Sequence, residues 1–186
     1  MSVSHYMEHL KRDFSLWKMN MDRAINLRQD LRVDDGTYIY RRGSAADYKA
    51  IQNLHYMLFR QGVVNWLNWL YKFKANELMS VIEEKSTGKI VGYDLFMFNE
   101  GEIKDDYLHE QYIGIDPSCQ GQSLSVKLRR YSLDCYDRGS VRAISTLAKV
   151  DDIKALRSAQ KAGFYITKMS AKPRAHYLVY NLTTYR

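Results

Sequence analysis

The sequence has little cysteine, little proline and no long apolar run. Two cysteines among 186 residues, Cys119 and Cys135, form no CxxC pair, which excludes a disulfide framework and a four-cysteine zinc site. Two prolines and ten glycines exclude a collagen-like or low-complexity chain. No apolar run approaches the roughly 18 residues of a membrane span, and the first residues lack the pattern of a secretion signal. We therefore expect a cytoplasmic protein without a membrane span.

The remaining composition is that of a globular protein with a basic surface. Hydrophobic residues make up 46% and charged residues 26%, and the formal net charge is +7. A basic surface favours anionic partners such as nucleotide cofactors, sugar nucleotides and nucleic acid, without choosing among them. Basic pairs such as Arg41 with Arg42 are dispersed and no nucleic-acid motif accompanies them. We therefore do not expect nucleic acid as the main partner.

Hydrophobic spacing predicts the order of the elements. An apolar residue recurs every three or four positions near the amino terminus, which predicts a helix packed on the body or on a second subunit, as in a homodimer. Its stripe is Tyr6, Leu10, Phe14, Trp17, Met21 and Ile25. Residues 1–35 are predicted to be an N-terminal helical extension and residues 36–186 the main domain. Strands are predicted at 37–42, 78–83, 89–98, 108–115, 142–147, 164–169 and 176–182, and helices at 44–58, 63–74, 121–138 and 151–162. This order indicates an α/β or α+β fold with a seven-stranded sheet flanked by helices.

The most informative stretch is HEQYIGIDPSCQGQSLSVKLRRY, residues 109–131. A predicted strand ends at Ile115, a turn follows at Pro117, and Gly121 and two serines precede a helix. Small residues at the start of a helix let a ligand approach exposed backbone N–H groups, and the helix dipole favours a negative ligand there. The stretch therefore predicts a binding site for a pyrophosphate group, although many turns before helices are small and polar.

The wider pattern resembles the GNAT superfamily of N-acyltransferases over residues 38–183. The resemblance rests on the Pro, Gln-Gly-Gln and helix succession and on a second motif, in which Ala155, Gly163 and Phe164 match the family's Asn-x-x-Ala to Gly-Phe pattern while Asp152 replaces the asparagine. It implies a mixed, mostly antiparallel sheet. It also implies transfer of an acetyl or other acyl group from acyl-CoA, most often acetyl-CoA, to a primary amine of a small-molecule or peptide acceptor.

The resemblance also implies which residues hold the acyl-CoA. They are Gln120, Gly121, Gln122, Ser123, Leu124 and Ser125, together with Asp152 at the start of a later helix. Serines stand at 123 and 125, where the family has smaller residues, and a Cβ restricts positive φ. Backbone N–H groups near Ile113 and Ile115, on a strand that splays from its neighbour in this family, are expected to hold the thioester carbonyl and stabilise the developing oxyanion.

Two residues are candidates for the catalytic base, which an acceptor amine needs because it arrives mostly protonated. Glu110 is close to where some family members place a catalytic glutamate, and His109 is the alternative. Strand alternation predicts that Glu110 shares a face with Tyr112, and His109 with Ile113. Ala159 stands where many members carry the tyrosine that protonates the leaving thiolate. Water or another hydroxyl, such as Ser158, is then expected to take that role.

Several alternatives remain open at this point. A degenerate GNAT-fold module would bind CoA without turnover, and an acyl carrier protein would replace CoA as donor if the apolar helix at 63–74 lined a long-chain pocket. Residues 121–125 approach the Gly-x-Ser-x-Gly pattern of serine hydrolases, but the last glycine is missing. His5 and His9 match a metallopeptidase pattern without a clear third ligand, so no metal is expected.

Overall fold

A computed structural model of the chain describes the backbone of residues 3–183 and the side chains of residues 7–183. This part of the chain forms five α-helices and eight strands. The helices are α1 Val3–Arg23, α2 Tyr48–Phe59, α3 Asn65–Leu78, α4 Leu124–Tyr136 and α5 Ile153–Ala162. The strands are β1 Arg32–Asp34, β2 Tyr38–Arg42, β3 Met79–Glu84, β4 Ile90–Met97, β5 Tyr107–Ile115, β6 Ala143–Lys149, β7 Tyr165–Ala171 and β8 Arg174–Asn181.

The eight strands form one sheet in the order β1-β2-β3-β4-β5-β6-β8-β7. Every neighbouring pair is antiparallel except β5 and β6, which are parallel. The predicted mixed, mostly antiparallel sheet flanked by helices is therefore confirmed. The additional strand is β1, three exposed residues that pair with β2 at the edge of the sheet. Such a short exposed strand has no apolar alternation that would reveal it in the sequence.

None of the helices in the described part of the chain is long and apolar enough to cross a membrane. The two helical layers lie on opposite faces of the sheet. On one face the ring of His55 in α2 packs edge-on against Tyr112 of β5, with the ring centroids 4.7 Å apart. On the other face Arg129 of α4 reaches Glu110 of the same strand.

Strands β5 and β6 part near their middles. Residues 107–110 of β5 pair with residues 143–146 of β6, and beyond this point β5 pairs only with β4 and β6 only with β8. The register between β4 and β5 shifts at the same place, because Leu95 is opposite Tyr112 whereas Phe96 is opposite Glu110. Gln111 is thus the extra residue of a β-bulge, a feature that bends a strand and increases its twist. The bend opens a V-shaped gap between β5 and β6.

The bulge also corrects the predicted alternation along β5. Glu110 is opposite Phe96 and Ile113 is opposite Asp94, and since residues 94 and 96 of β4 share a face, Glu110 and Ile113 share the face that α4 covers. His109 and Tyr112 lie on the other face. The prediction that Glu110 shares a face with Tyr112, and His109 with Ile113, is therefore wrong. The one inserted residue reverses the faces on which the residues after it lie.

Helix α1 is attached to the body through its C-terminal half. Leu10, Phe14 and Ile25 are 47%, 64% and 58% exposed in the single chain, so the body does not bury these three, and their burial against a second subunit stays a prediction. Trp17 and Met21 are half-buried against the core, and the side chain of Tyr6 lies outside the described residues. The buried anchor is a polar residue, Asn20. Its Nδ2 donates to the carbonyl of Phe98 at 3.0 Å, and its Oδ1 accepts from the N–H of Phe98 at 2.7 Å.

We expect Asn20→Ala to destabilise the protein far more than Phe14→Ala. The first change leaves a buried backbone N–H and a buried C=O of Phe98 without partners, which costs about 1–3 kcal/mol for each group. The second change removes a side chain that is mostly in solvent and should stay within about 0.5 kcal/mol. Urea unfolding of both variants checks this. Equal losses would mean that α1 is not held through Asn20.

Candidate functional site

A cleft of about 340 Å³ lies along β5, between the start of α4, α5 and the end of α2. Eight of the nine predicted CoA-binding residues line it: Ile113, Ile115, Gln120, Gly121, Ser123, Leu124, Ser125 and Asp152. The ninth, Gln122, points its side chain elsewhere, and its Oε1 accepts a hydrogen bond from the Tyr38 hydroxyl at 3.2 Å. The structure thus brings together residues that are up to 39 positions apart in the sequence.

The loop before α4 has a backbone that leaves N–H groups free at the cleft. Gly121 has φ +84° and Ser123, the N-cap of α4, has φ +59°. Ser123 therefore adopts the left-handed conformation that its Cβ disfavours. The loop thus has the backbone of a glycine at this position although a serine occupies it. The first N–H groups of a helix have no partner within it. In α4 the first backbone N–H that donates to the carbonyl of Ser123 is that of Val126. The N–H groups of Leu124 and Ser125 therefore come before the first intrahelical hydrogen bond, at the end of the helix that borders the cleft.

Two flanking elements complete the walls. Leu58 and Phe59 of α2 reach the cleft beside Gly114 of β5. A Cβ at Gly114 would lie 2.6 Å from Leu58 Cδ1 and from the ring of Tyr93, so glycine is what allows this close approach. On the opposite side Asp152 begins α5, and its carboxylate accepts the N–H of Ala155 at 2.9 Å. Lys154 adds a cationic side chain at the cleft.

Glu110, the first candidate for the base, does not line the cleft. The residue is 3% exposed. Its carboxylate accepts hydrogen bonds from Arg129 Nη2 at 2.7 Å, from Arg129 Nε at 3.0 Å and from Thr146 Oγ1 at 3.0 Å. A general base must be within hydrogen-bond reach of the proton that it removes. The structure argues against this role for Glu110, because its carboxylate is engaged by Arg129 and Thr146 and is not among the groups that line the cleft.

His109, the second candidate, is buried on the other face of the sheet. Its Nδ1 lies 2.7 Å from Ser145 Oγ and 3.4 Å from Glu102 Oε2. Burial raises the pKa of Glu102, but hydrogen bonds from His109, Ser145 and Tyr177 outweigh it and lower that pKa to about 2. The Glu102 carboxylate is thus held ionised in a hydrogen-bonded cluster. Neither predicted base lies among the residues that line the cleft.

The sequence analysis missed the most buried charge in the cleft, Arg129. Its Nη1 donates to Ser158 Oγ at 2.6 Å, and Ser158 in turn donates to Ser125 Oγ at 2.8 Å. All three side chains line the cleft, whereas Ala159 is fully buried beside them. Helical spacing offers a signal for this set, because Arg129 follows Ser125 by four residues and so lies on the same face of α4.

Asp94 of β4 is fully buried and lies near the charges of Glu110 and Arg129. Its Oδ2 accepts a hydrogen bond from Ser132 at 3.0 Å, and its Oδ1 has no partner in the described part of the chain. Burial, and secondarily the charge of Glu110, raises the pKa of Asp94 well above its ordinary value, against the opposing effect of Arg129. Asp94 therefore holds its proton more tightly in the native protein than in the unfolded chain.

We expect Asp94→Asn to remove a pH dependence from the stability. A raised native pKa means that the unfolded chain releases this proton above about 3.8 while the native protein keeps it. Wild-type stability then falls as pH rises above that value, by up to about 1.4 kcal/mol per pH unit for one group. The asparagine variant should gain on wild type as the pH rises above about 4 and lose the advantage in more acidic solution. Unfolding free energies across this range test it, and parallel curves would contradict it.

Comparison of the sequence with family models and with curated proteins finds no match. Comparison of the structure finds many solved acetyltransferases. An acetyltransferase of the GNAT family from Bacillus anthracis is 13% identical with a TM-score of 0.58, covering 81% of this chain and 98% of its own. YncA from Salmonella typhimurium, solved with its cofactor acetyl-CoA, is 20% identical with a TM-score of 0.61, covering 79% and 95%. Diaminobutyrate acetyltransferase EctA from Paenibacillus lautus, solved with L-2,4-diaminobutyric acid and coenzyme A, is 16% identical with a TM-score of 0.62, covering 78% and 96%.

These likenesses establish the fold. The chain has the fold of the GNAT acetyltransferases, as the motif at residues 109–131 predicts.

Proposed function

We propose that this chain, which has the GNAT acetyltransferase fold, is an N-acyltransferase that moves an acetyl or other acyl group from acyl-CoA to a primary amine. The observation that carries the proposal is the cleft itself. It runs from the loop before α4 along residues 113–115 of β5, the part of that strand that no longer pairs with β6. The neighbours solved with acetyl-CoA, and with coenzyme A and a diamino acid, support a CoA thioester as donor and an amine as acceptor.

In this proposal the pyrophosphate of CoA binds the backbone N–H groups of residues 121–125, because the N–H of Gln120 donates to the carbonyl of Pro117 at 3.4 Å. Free amides at a helix start and the positive end of the helix dipole both favour an anion. Lys154 adds positive charge close by. The pantetheine arm then runs along β5 past Ile115 and Ile113. About five residues, roughly 16 Å of strand, separate Ile115 from Glu110, where β5 and β6 part.

The reaction follows from this placement. The amine nitrogen attacks the thioester carbonyl carbon, and backbone N–H groups on the unpaired edge of β5 stabilise the developing oxyanion. Collapse breaks the C–S bond and gives an amide and the CoA thiol. The acceptor amine loses its proton to water in this proposal, because Glu110 and His109 both lie outside the cleft. Glu110 serves instead to hold Arg129 in place.

Acyl carrier protein as donor receives no support from α3. Its side chains Leu67, Leu70 and Tyr71 belong to the core, and Trp69 and Phe73 are 59% and 62% exposed. None of them lines the cleft. A CoA-binding module without turnover is the second candidate, and the observation that favours it is the absence of a predicted base from the residues that line the cleft.

A thermal-shift panel with CoA, acetyl-CoA and longer acyl-CoAs tests the proposal first. A ligand that binds only the native state raises its stability by about 2.7 kcal/mol at 100 times its dissociation constant. We expect a clear rise with acetyl-CoA. Release of free thiol from acetyl-CoA in the presence of a panel of amines then separates an enzyme from a binding module. No stabilisation by any CoA compound would contradict both.

A further inference from the structure

Arg129 lines the cleft at its inner end, and its ion-pair partner Glu110 lies outside the cleft. Glu110 is the last residue of β5 that pairs with β6, so the guanidinium bonded to it sits where the two strands part. Arg129 is 3% exposed and yet lines the cleft. An arginine cannot lose its charge in a protein. The inner end of the cleft therefore contains a permanent cation.

Hydrogen bonds give this cation a defined orientation. The bonds to Glu110 and Ser158 use three of the five N–H donors of the guanidinium. The hydroxyl of Ser158 accepts a hydrogen bond from Arg129 and donates one to Ser125. The chain of donors therefore runs from Arg129 through Ser158 to Ser125. Hydrogen bonds in such a chain polarise one another, and burial strengthens each of them.

We propose that Arg129, acting through Ser158 and the hydroxyl of Ser125 to which Ser158 donates, stabilises the thiolate of CoA that leaves when the acyl group is transferred. The inference rests on the proposed acyltransferase function and assigns a residue role within it. The C–N bond forms, the C–S bond breaks with its electron pair going to sulfur, and the amine proton goes to water. Arg129 keeps all its protons and acts through charge and hydrogen bonding. It thus replaces the proton donor that Ala159 cannot supply.

Three acidic side chains face Arg129 from the elements packed around it: Glu110, Asp94 and Asp152. Glu110 of β5 bonds the side of the guanidinium away from Ser158, and burial raises the pKa of Asp94 of β4 and so favours its uncharged form. Asp152, at the start of α5, uses its carboxylate to cap that helix. A thiolate near the guanidinium therefore meets a donor-rich surface.

The test measures the thiol of bound CoA and needs no acceptor. We expect bound CoA to have a thiol pKa about 1–3 pH units below the ordinary value of roughly 8.5. Binding is then favoured as pH rises from the bound value towards the free value, by about tenfold for each unit of difference. Calorimetric titration of CoA and of desulfo-CoA from about pH 6 to about pH 10 isolates this effect, because desulfo-CoA has no thiol. Thiolate absorbance in the ultraviolet checks the titration directly.

Three variants make the test specific. Glu110→Leu combined with Arg129→Met removes both charges without leaving one unpaired, and should bring the pH dependence of CoA binding to that of desulfo-CoA. Ser158→Ala should reduce the shift while CoA still binds. Arg130→Met is the matched control, since Arg130 is an exposed neighbour on α4 that bonds the carbonyl of Lys161, and it should behave as wild type.

The outcomes separate the inference from the function on which it rests. If CoA and desulfo-CoA both bind with the same pH dependence, the CoA site stands and the role of Arg129 is wrong. A lowered thiol pKa that persists in the Glu110→Leu, Arg129→Met protein would also overturn this role and assign the effect to the helix dipole of α4. If neither compound binds wild type at any pH, the proposed function itself fails.

Discussion

Replacing Ser123 with glutamate is expected to abolish CoA binding while the protein remains folded. Ser123 is exposed, lines the cleft and caps α4, so the new carboxylate would occupy the place proposed for the pyrophosphate. Like charges brought together in a binding site cost several kcal/mol. Since each 1.4 kcal/mol is about tenfold in affinity, the loss should exceed about 100-fold. Calorimetry with CoA, alongside a thermal unfolding curve, measures it.

Two companion variants give the result its meaning. Gln122→Glu adds the same charge one position earlier, on a side chain that bonds Tyr38 and does not line the cleft, and should weaken binding far less. Ser123→Gly relieves the left-handed backbone at φ +59° and should preserve or tighten binding. Unchanged CoA affinity in a folded Ser123→Glu protein would remove the 120–125 loop from the site.

The loop and the order of elements were predictable because each depends on residues close together in the sequence. Helical and strand periods reveal the elements, and the Gly121 to Ser125 run carries its own turn chemistry. The bulge at Gln111 was not predictable, since a single inserted residue leaves no period to detect. It nevertheless decides which side chains of β5 face α4, and so it reversed the expected surroundings of His109 and Glu110.

Long-range pairs set the remaining limit. Asn20 reaches Phe98, 78 residues away, and Glu110 reaches Arg129, 19 residues away. Taken alone, none of these residues predicts a partner. Asn20 is a polar residue on a helix, Glu110 is a carboxylate near the start of a strand, and Arg129 is one of two adjacent arginines. Only the topology brings the partners together. The helical period of α1 likewise indicates an apolar side without indicating that just its C-terminal half is covered.

Removing Arg129 alone is expected to cause a large loss of stability. Arg129→Ala would leave the Glu110 carboxylate buried with only Thr146 as a side-chain donor. Breaking a buried ion pair by deleting one partner costs about 3–5 kcal/mol, because the remaining charge is uncompensated. An exposed pair gives the contrast. Arg42, 36% exposed in its side chain, bonds Asp30 at 2.8 Å, and Arg42→Ala should cost at most about 1 kcal/mol.

The Glu110→Leu, Arg129→Met protein shows whether the loss comes from an unpaired charge or from lost packing. Replacing a whole buried ion pair by apolar side chains of similar volume is often neutral or stabilising. We therefore expect its unfolding free energy in urea to be close to that of wild type, well above that of Arg129→Ala. The deficit of Arg129→Ala should also shrink in acidic solution, where protonation removes the unpaired charge. Equal losses in the two proteins would show that Arg129 stabilises the fold through its packing, and that the ion pair contributes little. If the paired replacement is as stable as wild type, it is also the variant in which the CoA thiol can be titrated without the guanidinium.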